Sequence, residues 1–397
     1  MNILLVSSKY MPEYSGSGFR AHNLYKRLTK KYSEIELDII CGSITENSIL
    51  SYQYDEFDIM RIACKKYSTI SSFLPLKILQ NSINFKTEYN ATYNYIKNLK
   101  KQPELIHIFG QNFVTSAALN YANDYNIPVL IELCNEMDTP HHYIPFPFKY
   151  FISGMPPEKY CFISISECLK KMCLHNGIPE EKIWCRPNPV DEDLFKPIQE
   201  KEKYALRKTL TPFDSDDIVV SYVAKFRESK NHIFLLKVLL QLDEKYKFVI
   251  TGPMAEFGPE VESCHNLFAD MQNFIKENKL ENRVMLTSGF VHNVDEFYKL
   301  SDVYAFPTKN EGLGTPMLEA LACGVPVVAN LIPGVTDYWI ENNRNGFVSE
   351  LIPELFAENI IKASNFPENI RIQEARKIIN VAGTEAIDSQ YWSLINK

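Results

Sequence analysis

The chain has 397 residues, 45% of them hydrophobic and 23% charged, which is enough to bury a sizeable core and too long for a single ordinary one. Forty-two basic against 49 acidic side chains leave a net charge of −7, which argues against a nucleic-acid partner on overall charge. Nine cysteines without Cys-x-x-Cys or zinc-type spacing, no basic leader and no long apolar window lead us to expect a reduced, cytoplasmic protein that does not span a membrane.

In chain order, short apolar, β-branched runs alternate with segments of helical period, the pattern of α/β units with parallel sheets. Strands are expected at Asn2–Val6, Glu36–Cys41, Ile59–Ala63, Leu105–Phe109, Val129–Leu133, Cys161–Ile165 and Ile183–Arg186. After the first of them comes PEYSGSGFRAHNLYKRL, where Gly16, Ser17 and Gly18 read as a loop before a helix whose Phe19, Leu24 and Leu28 share one face. The glycines lie about ten residues beyond the strand and lack a third partner, so a nicotinamide or flavin fingerprint is excluded. Their backbone could still approach a phosphate, and a plain flexible loop accounts for them equally well.

From Arg61 to Lys101 the chain carries eight basic residues, among them Lys65, Lys66 and Lys77, and one acid, Glu88. Interleaved with Phe73, Leu74, Leu76, Ile78, Leu79 and Ile83, they suit either an anionic membrane surface or an ordinary helix with one solvated face. His107 lies within the run LIHIF and reads as a core histidine sooner than as a catalyst, while His141 and His142 lack further metal-type ligands. The stretch RPNPVDEDLFKPIQEKEKY, with its prolines and charges, is the expected inter-domain linker. Asp191 and Asp193, like Asp214 and Asp216, form Asp-x-Asp pairs in or beside it and read as solvated acids rather than a metal site.

A second series of strands is expected at Ile218–Val223, Lys247–Thr251, Arg283–Thr287, Val303–Phe306, Val325–Ala329 and Gly346–Ser349. In SYVAKFRESKNHIFLL, Lys225 and Lys230 follow a strand end, where two ammonium groups could neutralise a diphosphate or simply be solvated. In KNEGLGTPMLEALACGVPVVAN, the loop Pro307–Gly314 leads into a helix with Thr315 as expected N-cap and Pro316 as first helical residue. The amides of Gly312, Leu313, Gly314 and Thr315 then form an anion site at the positive end of the helix dipole. Glu311 and Glu319 do not suit the phosphate itself, but they suit hydroxyl groups on either side of it. Hydroxyls, phosphates, then hydroxyls describe a nucleotide-sugar. The plain alternative places Glu311 on a solvated loop and lets Glu319 help cap the helix.

Together with FISISECLKKMCLHNGIPEEKIWCRPNPVDEDLF, these stretches resemble the GT-B-fold retaining glycosyltransferases of glycosyltransferase family 4, along the whole length and most closely from Cys161 to Gly346. The resemblance implies two Rossmann-like domains with parallel sheets facing a deep inter-domain cleft. Residues 1–195 would form the acceptor domain, completed by a C-terminal helix at about 380–397, and 196–379 the donor domain. It further implies metal-independent, retaining transfer from a nucleotide-diphosphate-sugar, UDP-linked first and GDP-linked second, with no cofactor. The acceptor would be a glycan or a lipid-linked molecule, as in surface polysaccharide synthesis.

Glu311, Lys230 and Lys225 would be the catalytic set, with Lys225 where the family more often has arginine. Glu319 would hold the ribose and Phe290–Val291 the base, and the Gly16–Gly18 loop would approach the donor. Two departures stand out. Asn188-Pro189-Val190-Asp191 replaces Asn-Gly-Val-Asp, and Cys134-Asn135-Glu136 stands where many members carry a histidine or aspartate base. No base is therefore carried over, and Asn135, Glu136 and His107 remain as acceptor-side candidates. A soluble small-molecule acceptor, or a nucleotide-sugar binding protein without catalysis, are the competing readings. Peripheral association with an anionic membrane through 61–101 is a further expectation.

Overall fold

The structure is a computed structural model that describes residues 1–13, 15–43, 45–64, 74–133, 159–255 and 260–396, with the helical stretch 74–82 described by its backbone. It divides into two compact units, Met1–Arg186 with Asp388–Lys397, and Pro187–Ile387.

Among the described residues the first unit has eight strands: β1 (Asn2–Ser7), β2 (Glu36–Cys41), β3 (Leu50–Tyr54), β4 (Phe57–Arg61), β5 (Leu105–Phe109), β6 (Val129–Leu133), β7 (Tyr160–Ser164) and β8 (Ile183–Cys185). They lie in the order β3-β4-β2-β1-β5-β6-β7-β8. All neighbours are parallel except β3, which runs antiparallel to β4 as a hairpin on the sheet edge. Every residue of β1, β5 and β6 is buried, as continuous apolar runs require when helices cover both faces. The hairpin partner β3 is missing from the expected strands because LSYQY is polar and mostly exposed, so it carries no core signal. The expected strand Ile59–Ala63 is observed two residues earlier, with Ile59 opposite Ile39 in the buried register.

The second unit contains β9 (Ile218–Val223), β10 (Tyr246–Gly252), β11 (Val284–Ser288), β12 (Val303–Phe306), β13 (Val327–Asn330) and β14 (Gly346–Ser349). Its order, β11-β10-β9-β12-β13-β14, is the doubly wound Rossmann order, and every pair is parallel.

The division between the units falls at Arg186, ahead of the expected boundary after residue 195. Side-chain and backbone bonds explain where the intervening residues belong. The Val190 N–H donates to Ala382 O (2.7 Å), and the Glu192 carboxylate accepts from the Thr384 amide (2.7 Å) and the Glu385 amide (3.1 Å). The proline-rich stretch is thus clamped to the end of the second unit. The final helix, Thr384–Ile395, then continues into the first unit, where Arg27 holds Asp388 (2.7 and 2.9 Å) and Tyr32 stacks on Trp392 at 4.1 Å.

The helix Gly16–Lys31 corrects one expected face. Phe19 is 45% exposed, while Gly18, Ala21, Leu24, Tyr25 and Leu28 are buried. Phe19 and Leu24 are five residues apart, which at about 100° per residue turns them well away from each other.

Candidate functional site

In the second unit the strand order reverses between β9 and β12, which are direct parallel neighbours with Val303 opposite Val220 and Tyr304 opposite Ser221. Chains leaving adjacent strands in opposite directions open a crevice beyond their carboxyl ends, the usual ligand position in such sheets. Two loops border it: 224–231 after β9, with Lys225 and Lys230, and 307–314 after β12, with Glu311. They are bonded to one another. The Lys309 amide donates to Ser229 O (2.8 Å) and the Asn231 side-chain amide to Pro307 O (3.3 Å). From below, the Tyr222 hydroxyl donates to Lys230 O (2.8 Å) and the Tyr304 hydroxyl to Val223 O (3.2 Å). Lys230 and Glu311, two of the groups expected to act on the donor, form an ion pair with each other.

The helix Thr315–Ala322 starts one residue away from the expected cap. Gly314 is the N-cap, at φ +76°, and Thr315 is already helical. A side chain at 314 would combine a left-handed backbone with a Cβ 3.2 Å from the Phe306 ring, so glycine is required there. The Thr315 hydroxyl instead accepts from the Asn188 side-chain amide at 2.9 Å, which gives the Asn188-Pro189 loop a place beside the helix start. Leu313 is buried, so its side chain anchors the loop and only its backbone is available to a ligand, while Gly312 is half-buried. Glu319, also half-buried, accepts a hydrogen bond from the Tyr298 hydroxyl at 3.0 Å. Burial pushes the Glu319 carboxyl up to about 7, against the opposing effect of the Tyr298 bond. Tyr298 is itself buried, edge-on to Tyr304.

Lys225 sits at the mouth of the first loop and shares Glu260 with Arg227, at 3.6 Å and 2.6 Å respectively. Arg227 was not among the expected site residues, although a third cation in AKFRESK was the available signal. Beyond β11, Phe290 is 68% exposed beside half-exposed Val291, with its ring edge-on to His292. The Asp-x-Asp pairs serve turns: the Asp191 carboxylate accepts from the Asp193 and Leu194 amides, and the Asp214 amide donates to Asp217. Among the described residues, no three His, Cys, Asp or Glu side chains gather as a metal site.

In the first unit the corresponding reversal lies between β1 and β5. Gly16, Ser17 and Gly18 are not a loop but the first turn of the helix Gly16–Lys31, because the Ser15 hydroxyl caps the Gly18 amide at 3.0 Å. A Cβ at Gly18 would lie 2.5 Å from Lys9 O, so the glycine permits a close backbone crossing. His107 is wholly buried. It faces the Tyr25 hydroxyl through Nδ1 (2.9 Å) and the Glu132 carboxylate through Nε2 (3.3 Å), and burial lowers its pKa. Burial would raise Glu132, but the Arg186 guanidinium and His107 outweigh it and hold the carboxyl below its usual range. His107 is therefore a core histidine inside a polar network, not a group open to an acceptor. Asn135 and Glu136 lie outside the described residues.

Residues 207–380 match the family model described as glycosyl transferases group 1. EpsF of Bacillus subtilis is 28% identical over 196 residues, covering 48% of this chain and 46% of EpsF. The capsular polysaccharide biosynthesis glycosyltransferase CapM of Staphylococcus aureus is 25% identical, covering 63% of this chain and 66% of CapM. The chain thus spans about half to two-thirds of the length of these curated relatives. Among solved structures, HepE of Anabaena in complex with UDP superposes with a TM-score of 0.73 at 16% identity, with both chains covered in full. The doubly wound architecture is accordingly that of the GT-B glycosyltransferases. Residues 207–380 are thus similar to the group 1 glycosyl transferases.

Proposed function

We propose that the protein transfers a sugar from a nucleotide-diphosphate-sugar, UDP-linked in the first instance, to a glycan or lipid-linked acceptor in surface polysaccharide synthesis. The anomeric configuration is retained and no divalent metal takes part. The observation that carries this reading is the convergence of Lys230, Glu311 and the start of the helix Thr315–Ala322 at the β9/β12 reversal, with Glu319 one helical turn further in. Lys225, Lys230 and the helix N-terminus stabilise charge developing on the leaving diphosphate. Glu311 accepts hydrogen bonds from donor-sugar hydroxyls and Glu319 from the ribose, while exposed Phe290 and Val291 offer apolar surface to the base. The leaving phosphate takes the acceptor hydroxyl's proton as the new glycosidic bond forms on the face the nucleotide leaves, so no protein base is required. The names of CapM and the UDP-bound HepE support the substrate class.

The test is a thermal-shift panel of UDP-, GDP-, ADP- and TDP-sugars. A ligand at one hundred times its Kd stabilises the folded state by about 2.7 kcal/mol, a readily measured shift. Stabilisation by one nucleotide class supports the reading, and no shift with any of the four overturns it.

A further inference from the structure

Lys230 and Glu311 have separate tasks in the reading above, yet in the ligand-free protein they occupy each other. Their ion pair joins the two loops, and each side chain keeps only about one-fifth of its surface exposed (21% and 19%). It is not a chance meeting of two mobile surface chains. The loops behind it are tied by the Lys309 amide to Ser229 O and by the Asn231 side-chain amide to Pro307 O, and the Lys230 carbonyl is held by the Tyr222 hydroxyl. The ordering entropy that cancels most surface pairs is already met by the fold.

Resting on the proposed donor site, we infer that Glu311 is an internal competitor of the diphosphate for Lys230, and that this pair discriminates the sugar-bearing donor from the bare nucleoside diphosphate left after transfer. A diphosphate that takes the ammonium leaves the Glu311 carboxylate half-buried without its cation and beside new negative charge. Such a group needs replacement hydrogen-bond donors. A sugar supplies them through its hydroxyls, and a bare diphosphate does not. Opening the pair is thus offset only when the whole donor is present. Once the sugar has moved to the acceptor, Glu311 recovers Lys230 and weakens the hold on the product.

Isothermal titration of UDP, GDP, ADP and TDP, and of the sugar conjugate of whichever binds, tests this on the full chain. The proteins are wild type, Glu311→Gln, Lys230→Gln and the double variant. Glu311→Gln keeps size and shape on a half-buried loop, and an unaltered unfolding midpoint checks its fold. It is expected to bind the bare diphosphate about fivefold tighter, a change on the scale of one partly exposed ion pair, while binding the nucleotide-sugar no tighter. In the Lys230→Gln background the same change should leave diphosphate affinity where it was. Equal or weaker diphosphate binding by Glu311→Gln overturns the inference and leaves the donor site standing. Tightening that persists without Lys230 also overturns it, because general repulsion by Glu311 would then be the cause. If wild type and variants all fail to bind any of the four diphosphates, the donor-site reading itself falls, and the inference with it.

Discussion

Glu319 shows how one side chain can be legible and yet incompletely understood from sequence. Its place one turn into a helix after a Gly-Leu-Gly-Thr-Pro loop is visible in the chain, but Tyr298, which donates to it from 21 residues away, is not. With its carboxyl raised to about 7, the folded protein retains a proton there that the unfolded chain releases near the ordinary glutamate value of about 4.3. The contribution to stability is therefore fully present below the unfolded pKa and lost as pH rises through about 7. Relative to Glu319→Gln, which cannot ionise, wild type should lose up to about 3 kcal/mol between pH 4 and pH 8, as linkage converts such a shift. Urea unfolding of both proteins at the two pH values checks this, and a constant difference would contradict it. The same substitution should weaken nucleotide binding by roughly 1.5–3 kcal/mol if the carboxylate accepts ribose hydroxyls, a loss calorimetry measures directly. The cap of this same helix lies one residue from its expected place for a related reason. Thr315 is a favoured capping residue by propensity, but Gly314 alone tolerates the left-handed backbone against Phe306.

At the scale of elements, the first unit depends on a polar network buried among strands and the final helix. Glu132 on β6 accepts from Arg186 just after β8, from His107 on β5, and from the Tyr391 hydroxyl on the helix Thr384–Ile395. The strands β5 and β6 enter the core as largely apolar runs, so the network could not be read from hydrophobic period. His107 alone stands out in the sequence, and the core position read for it there is the one it occupies, although its partners Glu132 and Tyr25 are not legible. Replacing Arg186 by Met would leave the Glu132 carboxylate buried without its cation, at a cost of about 3–5 kcal/mol. Chemical denaturation should show this loss, and Glu132→Gln added to Arg186→Met should recover much of it by removing the orphaned charge. A loss no larger than that of an exposed arginine would mean the network is dispensable.

For the molecule as a whole, two expected properties follow from charge. With Lys225, Lys230 and a helix start available to a diphosphate, transfer should survive saturating EDTA. Loss of activity that manganese restores would contradict that expectation. The basic stretch 61–101 is the second. Part of its charge is used internally, since Arg61 pairs with Glu46 at 3.7 Å and Lys101 with Glu36, while Glu88 is buried and accepts from the Cys64 amide. Lys65 and Lys66 lie outside the described residues. If the remainder meets an anionic bilayer, the protein should sediment with anionic liposomes at low salt and be released near 1 M, where the Debye length is roughly 3 Å. Changing Lys65, Lys66 and Lys77 to Glu should weaken sedimentation without altering nucleotide binding. Equal sedimentation with neutral liposomes would count against the electrostatic mechanism.

The sequence by itself determined the α/β class, the two Rossmann-like series, and the identities of Lys225, Lys230, Glu311 and Glu319 as a candidate set. Those features are local: apolar period, glycine and proline placement, and charge at strand ends are properties of a few consecutive residues. Only the tertiary structure decided which of these groups face each other. Lys230 and Glu311 are 81 residues apart, and Tyr391 reaches Glu132 across 259. The edge hairpin β3–β4 and the clamp of residues 190–192 on 382–385 belong to the same kind. Such pairings depend on strand order and on which loops leave the same sheet end, and no window of neighbouring residues encodes either.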